Sequence, residues 1–336
     1  MFRLACITNQ YEMSRAWFLA TVFTALQAIA TATAQVYPSR PITMIVPFPA
    51  GGPSDVVPRI LGDKLRATLG QSIIVENVSG AGGSIGMGRV ARASPDGYTV
   101  GVGSWSTGVV NGAIYALNYD VVADFEPVVL LPENPLFLTS KKTIPAKNLA
   151  ELIGWMKASG DRVLVATSGV GTSPHVAGVM LQHLTGAPIQ LVHYRGGAPA
   201  LQDLIAGQVD VNMNQASVFL PYLNDDRIRI YAVLSKRRLP QAPDVPTVDE
   251  AGLPGFHLSS WNGIWAPKGT SHDIVTKLNS AVVDALNDPT VRQRFVDLGQ
   301  VIPPPDQLTP EAFGAYQKAE IEKWWPIIRA AGITAH

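Results

Sequence analysis

The chain has 336 residues, 47% of them hydrophobic and only 15% charged, enough to bury the cores of two ordinary domains and too apolar for a disordered segment. Its 26 Lys and Arg balance 26 Asp and Glu. No net field therefore steers it to nucleic acid or to an anionic membrane surface.

The N-terminus has the form of an export signal. Arg15 is the positive end, residues 16–30 carry no charge, and Ala32, Thr33 and Ala34 make a small-x-small cleavage site before Gln35. The apolar stretch is shorter than the roughly 20 residues a spanning helix needs. Residues 1–34 are thus expected to be a cleaved signal peptide, with Met13 a candidate start, and the mature chain to reside in the periplasm. The single cysteine, Cys6, lies in this leader, so the mature chain forms neither a disulfide nor a cysteine metal site.

Past the leader, strands and helices alternate, the pattern of α/β layers around largely parallel sheets. Residues 41–46 (PITMIV) suit a buried strand. After the loop PFPAGGPSD, Val56, Val57, Ile60, Leu61, Leu65 and Leu69 mark one helical face. Pro58 requires this helix to begin near Ser54 or Asp55, so that the proline falls in its first turn. Residues 73–75 are the next strand, the loop SGAGGSIGMG opens a helix through Val90, and 98–102 return as a strand. The uncharged stretch 98–118 is too interrupted by Gly, Ser, Thr and Asn to span a membrane; a strand, a loop and a helix start account for it.

Pro132 and Pro135 break the pattern, and a second unit of the same kind follows. It has strand 136–139, helix 149–158, strand 162–166, the loop TSGVGTSPH, and a helix with Val176, Met180, Leu181 and Leu184 on one face. Strand 189–193, helix 198–206 and strands 209–213 and 228–235 come next. A Pro-rich connection over 236–256 leads to a helical end at 274–286, 290–298 and 310–330.

Two α/β units with facing loops make a cleft at strand C-termini, where open α/β sheets bind ligands. Loops 48–55, 80–86 and 168–175 each bring glycines to a helix start. Free N–H groups and the helix dipole favour an anion there. The candidate ligand-binding residues are Phe48, Ala50, Gly51, Gly52 and Asp55 in the first loop and Ser84 in the second. Ser106 and Thr107 follow the 98–102 strand, Gly171, Thr172, Ser173 and His175 form the third loop, and Asn214 ends a strand. Ser54 adds a further hydroxyl. Asp55 fits a first-turn acid or a ligand group equally. His175 fits a structural ring or a donor to a carboxylate. Arg195 is a cation that is solvated by default, Gln215 a candidate amide, and Trp261 either core or lining. The loops suit a carboxylate better than a phosphate, since there is no Walker A sequence and no lysine follows these glycines.

Enzymatic readings are weaker. Gly82, Ser84 and Gly86 match G-x-S-x-G between a strand and a helix, with Asp210 and His257 as formal triad partners, but neither sits in a context suggesting a base. His175, His183 and His193 lack metal-ligand spacing, so neither a metal nor a cofactor is expected.

The strings YPSRPITMIVPFPAGGPSD, ENVSGAGGSIGMGRVARASPDGYTV, GVGTSPHVAG, VHYRGGAPALQDLIAGQVDV, RRLPQAPDVPTVDEAGLPGF, WNGIWAPKGT and EIEKWWPIIRAAGI follow one another over nearly the whole mature chain. In these it resembles the Bug/TctC family of tripartite tricarboxylate transporter substrate-binding proteins. The resemblance implies a type II periplasmic binding protein: two α/β lobes, a hinge and an interlobe cleft, with lobe 1 at 35–137 and 256–336 and lobe 2 at 138–255. It implies a non-enzymatic protein, and a monomer is expected. One ligand carboxylate would be held by loops 48–55 and 168–175, partly through water, and the partners would be two membrane subunits of a transporter. Family ligands are di- and tricarboxylates, acidic amino acids and aromatic acids. A sensor for a signalling receptor and a secreted serine hydrolase using Ser84 are the alternatives. Two departures stand out. Gly108 replaces a frequent His, which is expected to widen the site, and Asn214 replaces a frequent Asp. Together they favour a dicarboxylate or aromatic acid over an amino acid.

Overall fold

A computed structural model describes residues 37–334, so the leader expected at 1–34 lies outside the described residues. The compact unit begins at Arg40. Strand β1 (Ile42–Val46) lies between and parallel to β2 (Ile73–Asn77) and β3 (Thr99–Ser104). Helix α1 (Pro53–Leu69) joins β1 to β2 and buries Val57, Ile60, Leu61, Leu65 and Leu69, the i, i+3, i+4 face seen in the sequence. It ends at Gly70, whose positive φ of 69° suits glycine. It begins at Pro53, one residue before the expected start, so Pro58 falls just beyond the first turn and leaves the Ser54 carbonyl without its helical donor. Helix α2 (Ser84–Ala91) precedes β3, and a π-helical turn (Ser106–Val110) runs into the short α3 (Asn111–Ile114).

The largest departure from the sequence reading is at 125–141. Instead of a break and a new strand, β4 runs unbroken from Phe125 to Lys141. Three prolines are absorbed because the ladder to the partner strand slips between Pro127 and Val129 and again between Leu131 and Asn134. A proline can lie in a strand where a ladder bond is already missing. Its partner β9 (Ser259–Pro267), which local pattern did not mark, pairs with β4 over Phe125–Pro135 and with β3 on its other edge.

The second half contains α4 (Leu149–Ser159), β5 (Leu164–Thr167), α5 (Ser173–Thr185), β6 (Gln190–His193), α6 (Gly197–Ile205), β7 (Val211–Gln215), α7 (Ala216–Phe219) and β8 (Ile228–Val233). Asn148 caps α4 by accepting the Glu151 N–H at 2.9 Å. Strand β5 is parallel to β6 and β7, while the far end of β4 pairs antiparallel with β7 and β8. The strand order is β2-β1-β3-β9-β4-β7-β5-β6, with β8 also on β4. Helices α8 (His272–Asn287), α9 (Pro289–Asp297) and α10 (Pro310–Ala330) close the chain, within two residues of expectation.

One apolar cluster runs through both halves, from Trp105 and Trp261 to Leu136, Val165, Val176 and Met213. A smaller one lies around α6, with Phe137, Leu201, Leu204 and Phe219. Among the described residues no helix is long and apolar enough to cross a membrane.

Candidate functional site

Three loops and the segment after β3 come together at strand C-termini. In the first loop Phe48 and Gly52 are half-buried, and Ala50 and Gly51 are exposed. Asp55 is buried and fully engaged. It accepts the Gly51 N–H at 2.8 Å, two bonds from Arg59 at 2.9 Å and one from Asn77 at 2.8 Å. Asn77 also donates to the Phe48 carbonyl. Burial alone would push the Asp55 carboxyl up, but the bonds from Arg59, the Gly51 N–H and Asn77 outweigh it and hold the pKa below the ordinary value. The geometry makes Asp55 a brace that shapes the loop.

The second loop approaches the segment after β3 so closely that side chains are excluded. A Cβ on Gly83 would lie 2.7 Å from Thr107 Cγ2 and 3.2 Å from Pro47 Cβ, and one on Gly82 would lie 2.7 Å from the Tyr115 hydroxyl. Asn111 donates to the Gly82 carbonyl at 3.0 Å. Ser84 is the first residue of α2, and Ser106 and Thr107 lie in the π-helical turn.

The third loop reaches the same segment from the other half of the sheet. Gly171, at φ 76°, would place a Cβ 2.6 Å from Ile114 Cδ1. Thr172 occupies the N-cap of α5 without a side-chain capping bond, Ser173 is the first residue of the helix, and His175 is buried behind them. The Gly171 N–H donates to His175 Nδ1 at 3.0 Å. The His175 ring meets that of His193 edge-on at 4.7 Å between centroids. Burial, with a smaller effect of His193, pulls the His175 pKa down to about 4. Asn214, fully buried at the end of β7, donates to Ser168 Oγ at 2.9 Å. The site thus brings together all the expected loops, and adds Asn77, Asn111 and Tyr115, which carry no distinctive local pattern.

The family model described as tripartite tricarboxylate transporter family receptor matches residues 57–333. The chain belongs to this family. Solved relatives include MatC from Rhodopseudomonas palustris with bound malate, 39% identical, TM-score 0.79, covering 87% of this chain and 100% of that one. The periplasmic binding protein BugD is 36% identical, TM-score 0.79, with 89% and 100% covered. R. palustris Rpa4515 with adipate is 31% identical, TM-score 0.81, with 89% and 99% covered. The fold of this family receptor is the type II periplasmic-binding-protein arrangement of two α/β lobes. Its family and neighbours are solute-binding proteins, not enzymes.

Hydrogen bonding divides the receptor's hydroxyls into two groups. Ser54 donates to Asn262 Oδ1 at 3.0 Å, Thr107 donates to the Ser104 carbonyl at 3.0 Å, and Thr172 donates to the Gly169 carbonyl at 2.7 Å. Each has spent its single proton inside the protein. The hydroxyls of Ser84, Ser106, Ser168 and Ser173 have no acceptor among the described residues. The formal triad is not assembled: Asp210 pairs with Lys141 at 2.7 Å, His257 pairs with Asp249 at 2.8 Å, and neither bonds Ser84. Gly108 does not widen the site. A Cβ there would lie 3.1 Å from the Trp265 ring and 3.2 Å from that of Trp261, so indoles fill the space. Trp261 is core, 1% exposed.

The segment carrying Ser106 is held from behind by α10. Gln317 donates to the Gly108 and Val121 carbonyls, each at 2.9 Å, and Trp325 donates to the Val109 carbonyl at 2.9 Å. One oxygen of Glu320 accepts three indole N–H groups, from Trp105 at 2.9 Å, Trp324 at 3.1 Å and Trp261 at 3.4 Å.

Proposed function

We propose that this receptor captures a small organic carboxylate, a di- or tricarboxylate or an aromatic acid, between its lobes and presents it to the membrane subunits of a tripartite transporter. The observation that carries the reading is the donor set. Serine hydroxyls with uncommitted protons stand at the ends of facing loops. Among the described residues no aspartate or glutamate is bonded to those hydroxyls; the one acid in the first loop, Asp55, is turned inward by Arg59 and Asn77. Carboxylate oxygens take such charge-assisted bonds well, and exclusion of water strengthens them. The malate and adipate of the two R. palustris relatives, both dicarboxylates, support the same class. The switch of β4 from β9 to β7 and β8 near Pro135 supports lobes at 35–137 with 256–336, and at 138–255.

The test is a thermal-shift screen of purified protein that has been unfolded and refolded to strip bound ligand. The panel holds aliphatic and aromatic mono-, di- and tricarboxylates, acidic amino acids, sugars and phosphate esters. A ligand bound only by the folded state adds about 2.7 kcal/mol at a hundredfold excess over Kd. A clear shift confined to carboxylates is expected. Shifts only with sugars or phosphate esters would overturn the reading.

A further inference from the structure

One hydroxyl at the site has its direction set by chemistry alone. The backbone N–H of Gln215 can only donate, and it meets Asn214 Oδ1 at 3.0 Å. That contact fixes which end of the amide is oxygen. The NH2 end therefore faces Ser168 Oγ, 2.9 Å away, and must donate to it. An oxygen that accepts this bond turns its own proton elsewhere, and no acceptor for it exists among the described residues. Ser168 is half-buried and directly follows β5, at the mouth of the third loop. Turned over, the amide would set its NH2 against the Gln215 N–H, donor against donor. A Cβ on Gly197 would lie 2.8 Å from Asn214 Nδ2 and 3.1 Å from its Oδ1, so only glycine leaves the amide room.

We propose that Asn214 and Ser168 form a one-way donor chain that determines specificity, presenting an O–H to the ligand and selecting a carboxylate over an ammonium at this point. The proposal rests on the reading of the cleft as a carboxylate site. A carboxylate only accepts and an ammonium only donates. An aspartate at 214 would reverse the chain. It would keep the Gln215 bond, draw the Ser168 proton inward, and leave lone pairs and a negative charge facing the ligand.

The test is calorimetry with malate, adipate and aspartate as probes, on the wild type, Ser168→Ala, Asn214→Asp and the double variant. Losing a hydrogen bond to a charged group weakens binding about tenfold to a hundredfold, and Ser168→Ala is expected to lose this much for malate or adipate. Asn214→Asp is expected to lose more, and to narrow or invert the preference over aspartate. In the Asn214→Asp background, Ser168→Ala is expected to change affinity less than twofold, because the proton is already withdrawn. If the buried carboxylate prevents folding, the near-isosteric Asn214→Leu replaces it, and Ser168→Ala must again cost less there than in the wild type. An unchanged affinity for Ser168→Ala, or an equal loss in both backgrounds, overturns the donor chain alone. A wild type that binds none of the carboxylates removes the site itself, and the proposal with it.

Discussion

His175 accepts the Gly171 N–H through Nδ1, so that nitrogen is unprotonated and the imidazole is neutral. Its pKa is pulled down to about 4 from an ordinary 6.5. The folded state therefore binds fewer protons than the unfolded state between these values. The stability it contributes is complete above pH 6.5 and is lost as pH falls toward 4, by up to about 3 kcal/mol. The proton would enter at the nitrogen that holds Gly171, so the third loop loses a tie as well. His193, packed edge-on, opposes a second charge. Urea unfolding at pH 7 and pH 4.5 checks this. The wild type is expected to lose more stability over that window than His175→Asn, which has no imidazole to protonate, and equal losses would refute the assignment. Single residues were legible in part. The spacing of loop 168–175 placed His175 at a helix start, but its tautomer depends on Gly171 folding back. Asp55 looked equally like a ligand group and a first-turn acid, because its partner Asn77 lies a strand away.

At the scale of elements, α10 bears on the candidate site although it lies outside the three loops. Trp105, Trp261 and Trp324 are each no more than 1% exposed, and their indole N–H groups share Glu320. A buried donor left without its acceptor costs about 1–3 kcal/mol. Glu320→Leu is accordingly expected to destabilise the protein by about 3 kcal/mol or more, and Glu320→Gln, which keeps one carbonyl acceptor, by less. Urea titration followed by tryptophan emission measures both; a loss below about 1 kcal/mol for Glu320→Leu would mean the three bonds do not act as a clasp. Trp105 immediately precedes the turn that carries Ser106 and Thr107, so the same variant should also weaken ligand binding. Helix α10 itself was legible to the residue, 310–330 in the sequence reading and in the fold. The clasp was not, since its members come from 105, 261, 320 and 324. Strand β9 and the first part of β4 were missed for a related reason. They are buried on both faces and proline-bearing, and only pairing with each other makes them strands.

At the scale of the whole molecule, the two halves share one strand. Strand β4 pairs with β9 up to Pro135 and with β7 and β8 from Leu136 onward, and the chain returns near Leu258, whose N–H bonds the Leu234 carbonyl. Few backbone segments cross between the halves, and the ladder to β9 is irregular between Leu131 and Asn134, where Glu133 bridges Val301 instead, so a hinge there costs few bonds to β9. Across this junction Gly171 packs against Ile114 and Val110, so the loops of the two halves are already in contact. A closed form of this kind is stabilised by a ligand only to the extent that the ligand binds it better than the open form. Without ligand, the contacts of Gly171 with Ile114 and Val110, and of Gly299 with Leu220 and Ala216, are set against the hydration of the serine hydroxyls. Small-angle scattering of stripped protein is therefore expected to give a larger radius of gyration than this closed form has. Saturation with a carboxylate from the thermal screen should bring the curve into agreement with them. Identical curves with and without saturating ligand would place recognition in a rigid cleft. The donor set at the loops would then have to act without help from closure.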